Sequence, residues 1–516
     1  MVDIAVERFE KLLRGAIVII LGNVIGMGSM FLARFLSARY LLPENYGLIA
    51  LGITFVNILS IVSLAGLPRG LARQFPQTEE RTELLFAALI VCLPVSFAIA
   101  VLVGTYATVI QNIFDQDGFS QILPIFAFSI PFIIVAKIGI GSARGVEKAR
   151  GQIIIESLSN QLLKLLFIAV AIGIGFQTAG VAIGWVAASV VSAVVAVYYL
   201  IRLGLFSSGF EYNTAISHIR PLLLFSLPLM VSESLWRLMK QADNFLLGYF
   251  HPSQIVGIYD ATFLISRVMF FIPIPFSFLF LPIFSDLYEN ESKNKRLVFY
   301  RLVTKWMVFL VLPIYFSILF FSQELMMLLY GRDYVIGAPV LIVLATGYVI
   351  HLVFGLNIGA LTAIGQTDKV LYGNSAGFVA NLLLNIILIP RFGMLGAAFA
   401  SALTFVITNV LFEYYLFDIE DIHTFYRPLL QPIITITPIL AVLFLVKMHF
   451  LDTVVEKLLV ITGIFITIFV AVAKLGVESD DVAIVKSLLE ELPAQKARIN
   501  KYIYKDDNGN DDNYRS

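Results

Sequence analysis

The sequence has little of what soluble enzymes rely on. Its 516 residues include one cysteine, Cys92, five histidines and 14% charged residues, whereas soluble domains carry roughly 25% charged residues. A single cysteine excludes an intrachain disulfide and a cysteine-based metal cluster. The sequence has no G-x-x-x-x-G-K-[ST] phosphate loop and no H-E-x-x-H or Cys/His metal spacing. We therefore expect neither ATP hydrolysis by this chain nor a cofactor or metal, and no enzyme activity.

Apolar sequence, in contrast, is abundant. Hydrophobic residues make up 59% of the chain, and the mean hydropathy is +0.87. A transmembrane helix needs about 20 mostly apolar residues, and by this rule the sequence predicts about fourteen spans, the first retained because no cleavage site follows it. The fold class is thus an all-α polytopic membrane protein. Pro273, Pro275 and Pro282 are expected to bend or break the eighth span, 256–280.

The distribution of basic residues orients these spans, because short cytoplasmic loops are enriched in Lys and Arg. With the N-terminus inside, 25 of the 36 Lys and Arg residues fall on the inner side, six on the outer side and five within spans. This asymmetry predicts a multi-pass protein of the cell (cytoplasmic) membrane with both termini in the cytoplasm. Beyond the last span, residues 481–493 are predicted to form an amphipathic helix, and 505–516 a disordered tail.

An internal repeat relates the two halves of the chain at an offset of about 210 residues. The clearest pair is RYLLPENYG at 39–47 and GYFHPSQIVG at 248–257, each joining an outward-going helix to its return partner. Because each repeat holds six spans, the halves share one orientation and predict two bundles facing a central cavity. The predicted domains are an N-terminal bundle (1–205), a C-terminal bundle (206–420), two further spans (421–475) and a cytoplasmic helix with its tail (476–516).

Charged side chains inside predicted spans indicate function, because each costs about 2.5 kcal/mol or more in a bilayer. In the seventh span, 222–250, Glu233, Arg237 and Lys240 are spaced i, i+4, i+7 and share one helical face. In the fifth span, Glu156 and Lys164 are spaced i, i+8, with Asn160 midway between them.

Two interpretations of these residues remain open. In the first, basic groups bind an anionic phosphate, and polar groups line the cavity or couple transport to an ion or proton gradient. The phosphate-binding candidates are Lys164, Arg237, Lys240 and Arg267; the cavity or coupling candidates are Glu156, Asn160, Glu233, Asp243, Asp260 and Asn381. In the second, Glu233 with Arg237, Glu156 and Asn160 with Lys164, and Asp260 with Arg267 are structural pairs. Arg34 is interpreted as flanking the outer mouth, or as an interfacial anchor.

Several segments resemble polysaccharide-export flippases of the Wzx type. They are LARFL at 32–36, YLLPENYG at 40–47, SLPL at 226–229, DNFLLGYF at 243–250 and LYGRDY at 329–334. The resemblance extends to about residue 417. These flippases belong to a superfamily that also includes multidrug extruders and lipid II flippases. It supplies no invariant catalytic residue, so the candidate site residues depend on the physical argument alone.

The resemblance implies a two-lobed transporter that moves polyprenyl- or dolichyl-linked oligosaccharides from the cytoplasmic to the outer leaflet by alternating access. Such cargo would feed O-antigen, exopolysaccharide or surface-glycoprotein assembly, with membrane lipid and glycan assembly enzymes as partners and no nucleic acid. The alternatives are an ion-coupled multidrug antiporter of the same superfamily and, less favoured, a membrane glycan polymerase or glycosyltransferase. Fourteen spans, midplane basic residues and short loops favour the flippase.

Overall fold

The computed structural model describes residues 2–64, 66–146, 149–206, 210–450 and 454–477. The predicted amphipathic helix at 481–493 and the tail at 505–516 lie outside these residues. The side chains of Glu233 and Lys240 also lie outside the described part. The same holds for the side chains of residues 2–20, 149, 227–232, 234, 236, 437, 440, 441, 443–450, 454–459 and 473.

The described residues are helical almost throughout and include no β-strand, which confirms the all-α class. The α-helices are α1 (Val2–Tyr40), α2 (Pro43–Leu64), α3 (Leu67–Gln74), α4 (Arg81–Thr105), α5 (Ala107–Phe114), α6 (Phe119–Phe128), α7 (Ile130–Gly145), α8 (Ala149–Gln152), α9 (Leu163–Gly173), α10 (Thr178–Arg202), α11 (Tyr212–Phe250), α12 (Ser253–Ser266), α13 (Pro273–Asn290), α14 (Lys293–Leu329), α15 (Ala338–Val353), α16 (Asn357–Ala363), α17 (Thr367–Glu420), α18 (Arg427–Phe450) and α19 (Val454–Ala471). Segments of 3₁₀-helix lie at Phe75–Gln77, Arg267–Phe271 and Arg332–Gly337, and π-helix at Ile153–Leu162 and Val472–Gly476.

Within the described chain, ten helical segments are long and apolar enough to cross a membrane. The predicted eleventh and twelfth spans both lie in α17, which is interrupted at Gly393, where φ is 56°. The eighth predicted span breaks as expected, because α12 gives way to a 3₁₀ segment and Pro273 starts α13. Proline is well suited to the first turn of a helix, where no N–H is needed. The total of fourteen spans stays a prediction.

The chain forms two compact units. The first contains the described residues of 1–271, 321–351 and 365–415, and the second those of 272–320, 352–364 and 416–516. In the second unit, the buried ion pair between Arg296 and Glu420, 2.8 Å apart, joins α14 to the end of α17. The predicted division at 205, 420 and 475 stays a prediction.

A cluster of phenylalanine rings packs four helices of the first unit together. The ring of Phe55 on α2 lies 5.1 Å from that of Phe114, 5.5 Å from that of Phe119 and 5.4 Å from that of Phe245. Edge and tilted contacts of this kind add about 0.5–1.5 kcal/mol per pair beyond the burial of area. The cluster therefore fixes α2 against α5, α6 and α11.

The two repeat motifs adopt the same local structure. In each, two residues separate consecutive helices: α1 ends at Tyr40 and α2 starts at Pro43, while α11 ends at Phe250 and α12 starts at Ser253. The motifs also touch through their glycines, because a Cβ on Gly47 would fall on the carbonyl oxygen of Ser253 and one on Gly257 would fall on that of Pro43. Hydrogen at these two positions lets α2 and α12 approach backbone to backbone.

This contact predicts that Gly47→Ala destabilises the protein by about 1–3 kcal/mol, since the added methyl group forces α2 and α12 apart. Thermal unfolding of the purified protein in detergent measures the effect. Gly104→Ala on α4 is the control, because a Cβ there would meet no atom within 4 Å. Equal melting temperatures of the two variants would contradict the proposed close approach.

Candidate functional site

The carboxylate of Asp260 lies at the centre of a buried polar network in the first unit. The guanidinium of Arg34 on α1 is 3.3 Å from its Oδ1, the Tyr46 hydroxyl on α2 donates to its Oδ2 at 2.6 Å, and the Asn244 amide on α11 donates to Oδ1 at 2.8 Å. Asp260 is only 1% exposed. Burial of a carboxylate is tolerated when charge and hydrogen bonds both compensate it, as they do here.

A second buried carboxylate, that of Asp243, receives hydrogen bonds from neutral groups. The Tyr259 hydroxyl donates to Oδ2 at 2.5 Å, the Ser401 hydroxyl to Oδ2 at 2.7 Å and the Asn385 amide to Oδ1 at 2.8 Å. Asn385 also donates to Asn381 at 3.1 Å, and its own Oδ1 is buried without a hydrogen-bond partner among the described residues. The cluster joins α11, α12 and α17.

Both carboxylates border one cavity of about 160 Å³, which we call the carboxylate cavity. Its lining residues are Met30, Arg34, Asn57, Gln241, Asp243, Asn244, Tyr259, Asp260, Phe263 and Arg267. Two basic and two acidic side chains balance each other in this lining. The guanidinium of Arg267 lies 5.8 Å from the centroid of the Phe263 ring.

A second cavity, of about 210 Å³, has a very different charge. We call it the basic pocket; it is lined by Ile61, Leu64, Gly66, Pro68, Arg69, Lys137, Ile140, Gly141, Arg144, Glu156 and Arg237. Among the described lining residues, four basic groups stand against one carboxylate, a formal excess of three positive charges. The ammonium of Lys137 is 2.6 Å from the Glu156 carboxylate.

Helices α2 and α11 line both cavities. Asn57 and Gln241 border the carboxylate cavity, while Ile61 and Arg237, four residues away on the same helices, border the basic pocket. The Asn57 amide donates to the Gln241 side chain at 3.4 Å. One helical turn rises about 5.4 Å, so the two cavities are neighbours along these helices, and the amide pair belongs to the lining of the carboxylate cavity.

Lys164 lies in neither cavity lining. Its side chain is buried, with the ammonium 3.6 Å from the centroid of the Trp185 ring and hydrogen-bonded to Asn160 at 2.9 Å. Aromatic rings attract desolvated ammonium groups with about 2 kcal/mol or more. The π-helix at 153–162 changes the angular spacing of this segment, and Glu156 there pairs with Lys137 on α7.

The structure thus groups most described candidates into two sets. Asp243, Asp260 and Arg267 line the carboxylate cavity, and Glu156 and Arg237 line the basic pocket. Asn381 is linked to Asp243 through Asn385, whereas Asn160 and Lys164 belong to neither cavity lining. Asp260 pairs with Arg34 instead of Arg267. Arg69, Arg144 and Lys137, which also line the basic pocket, are not among the predicted site residues. The basic residues that flank the short inner loops are the sequence signal for the first two.

The long apolar helices are those of a multi-pass membrane protein. The solved structure of the lipid II flippase MurJ in an inward closed conformation has the same fold, with a TM-score of 0.73 and 15% sequence identity over 88% of this chain and 98% of that one.

The chain belongs to the polysaccharide biosynthesis protein family, whose sequence model matches residues 12–288. The MatE family model matches residues 228–387. "Probable low-salt glycan biosynthesis flippase Agl15" of Haloferax volcanii is 33% identical over 34% of this chain, and the match spans only 37% of that relative. A relative in Shigella flexneri whose name describes an O-antigen transporter is 23% identical over 73% of this chain and 91% of its own length.

The Asp260 network predicts a specific double-variant result. Asp260→Ala should cost about 3–5 kcal/mol, because it leaves the Arg34 charge buried without its partner. Adding Arg34→Met should restore part of this loss, because the buried charge is then removed as well. Unfolding midpoints of the two single variants and the double variant measure the coupling. A double variant that unfolds as early as Asp260→Ala would show that the pair does not hold this region together.

Proposed function

We propose that this protein is a flippase that moves polyprenyl-phosphate-linked oligosaccharides from the cytoplasmic to the outer leaflet of the cell membrane. It is a transporter and not an enzyme, with both termini in the cytoplasm. Family membership and the names of the relatives support this class of cargo. Glycan assembly enzymes, which would deliver and consume the cargo, are the proposed protein partners.

The observation that carries the proposal is the charge of the basic pocket. Arg69, Lys137, Arg144 and Arg237 surround a space in which the described lining residues include one carboxylate. Guanidinium groups match phosphate oxygens with parallel N–H donors, and ammonium groups add a point charge. A lipid-linked sugar presents one or two phosphates at the junction of its apolar tail and its polar head, so the pocket fits the group that every such cargo shares.

In the proposed transport cycle, each part of the cargo stays in the environment that solvates it. The phosphate is held by the pocket, the sugar crosses in water within the central cavity, and the prenyl tail stays in lipid. Rocking of the 1–205 and 206–420 bundles changes which side is open. Arg34 on α1 and Arg267, directly after α12, provide further cations in the neighbouring carboxylate cavity, while Lys164 and Lys240 remain proposed phosphate-binding residues.

Asp243 is the proposed coupling group. Its carboxylate is 4% exposed, and its hydrogen-bond donors are the neutral groups of Tyr259, Ser401 and Asn385. A buried carboxylate surrounded in this way is stabilised by a proton or a monovalent cation. Loading and unloading of that ion as the bundles rock would tie flipping to the membrane gradient.

A multidrug antiporter is the second candidate, favoured by the MatE match at 228–387. Cationic drugs require an excess of acidic groups, but the carboxylate cavity is charge-balanced and the basic pocket has the opposite sign. We therefore rank this activity below flipping.

Arg144→Ala, Arg237→Ala and Arg267→Ala should each reduce flipping about tenfold or more, because each removes a charged hydrogen-bond donor worth about 1.5–3 kcal/mol. Deletion strains complemented with each variant, followed by leaflet-resolved mass analysis of lipid-linked sugars, measure the effect. The undelivered cargo should accumulate on the inner leaflet.

Arg202→Ala is the matched control, since this exposed arginine ends α10 outside both cavity linings. Normal surface glycan in an Arg144→Ala/Arg237→Ala double variant would overturn the phosphate site. Unchanged lipid-linked sugars together with altered drug resistance after deletion would favour the antiporter.

Asp243→Asn should remove the dependence of flipping on the ion gradient while leaving cargo binding within about twofold of wild type, because the amide keeps the size but not the charge of the carboxylate. Flipping rates in vesicles with and without imposed proton and sodium gradients test this. Asp333→Asn, an exposed aspartate, is the control. Gradient-driven flipping that persists in Asp243→Asn would exclude Asp243 as the coupling group.

A further inference from the structure

The ion pair between Lys137 and Glu156 lies in the wall of the basic pocket and not in packed interior. The two side chains are 33% and 30% exposed, and both line the pocket. A ligand in the pocket can therefore reach the Lys137 ammonium. This ammonium has three N–H donors, and a hydrogen bond that one of them makes to the carboxylate can be replaced by one to a phosphate oxygen.

Glu156 is placed to compete with such a ligand. Among the described lining residues it is the one carboxylate, and it shares the lining with Arg144 and Arg237 as well as with Lys137. An entering phosphate would approach the same three cations and would be repelled by the carboxylate. Glu156 and the phosphate cannot both take full advantage of these cations.

The backbone that carries Glu156 is unusual. It lies in the π-helical segment Ile153–Leu162, ten residues long. π-Helical segments are rare, mostly single-turn and frequently located at functional sites. A ligand shifts such a segment only if it binds one conformation of the segment more tightly than another. A phosphate that breaks the contact between Glu156 and Lys137 would bind the conformation without this contact more tightly.

We propose that Glu156 is a resident counter-ion, which the phosphate of the cargo displaces from Lys137 on binding and which returns to Lys137 on release. Glu156 thereby sets how tightly the pocket holds a phosphate, and its displacement signals occupancy to the π-helical segment. The inference rests on the proposed function and deepens it, because it assigns a role to the acidic member of a basic site.

The test measures binding of geranylgeranyl diphosphate and of inorganic pyrophosphate to the purified full-length protein. Glu156→Gln should bind about three- to tenfold more tightly than wild type, since one repelling charge is lost near the ligand. Glu156→Asp, which keeps the charge, should stay near wild type. Glu44→Gln, an exposed acid on α2 outside both linings, removes the same charge and should change nothing.

A purely structural ion pair gives the opposite result. If Glu156→Gln binds as wild type does or more weakly, the inference is overturned. A response confined to the prenyl ligand identifies a lipid head group as the natural ligand, whereas a response to both ligands identifies recognition of the phosphate itself; either supports the displacement.

Failure of the proposed function looks different. If wild-type protein binds neither ligand, the phosphate site and the inference fail together. If wild type binds and Arg144→Ala loses binding while Glu156→Gln stays at wild-type affinity, the inference alone fails.

A measurement on wild-type protein avoids any dependence on folding of the variants. Amide hydrogen exchange in residues 150–165 should speed up when geranylgeranyl diphosphate is added, because Glu156 is released from Lys137. Exchange in α10, for comparison, should be unaffected. Unchanged or slower exchange in 150–165 at saturating ligand would overturn the displacement.

Discussion

The buried carboxylate of Asp260 constrains the arrangement of the helices around it. An isolated carboxylate at this depth would cost several kcal/mol, and its compensation comes from Arg34 on α1, Tyr46 on α2 and Asn244 on α11. Tyr46 on α2 reaches Asp260 on α12 where Gly47 and Gly257 allow the close approach of these two helices. The Asp260 network and the glycine contact therefore both join α2 to α12, two helices that are far apart in sequence.

That arrangement places two cavities of different charge along the same pair of helices. The carboxylate cavity is balanced, and the basic pocket, one turn away on α2 and α11, has an excess of positive charge. The Asn57–Gln241 amide pair belongs to the lining of the carboxylate cavity, and its 3.4 Å contact is long for a hydrogen bond.

The sequence predicted the helical membrane fold and the proline break before α13, because apolar runs and proline act locally. It could not identify charge partners that come from distant helices. Arg34 could be interpreted as an interfacial anchor, yet its partner Asp260 is 226 residues away. The structural pairing expected of Glu156, Asn160 and Lys164 holds in part: Lys164 is hydrogen-bonded to Asn160, whereas Glu156 pairs with Lys137. Hydrophobic periodicity does not reveal the π-helix at 153–162, which changes the angular spacing of this segment.

The most direct test of the central claim is flipping by the purified protein in vesicles. A fluorescent polyprenyl-diphosphate-linked oligosaccharide is built into both leaflets, and an impermeant glycan-cleaving enzyme reports how much is accessible from outside. The account predicts that inner-leaflet cargo becomes accessible in vesicles containing wild-type protein, and much more slowly with Arg144→Ala/Arg237→Ala. Accessibility limited to the outer leaflet, as in protein-free vesicles, would contradict the account.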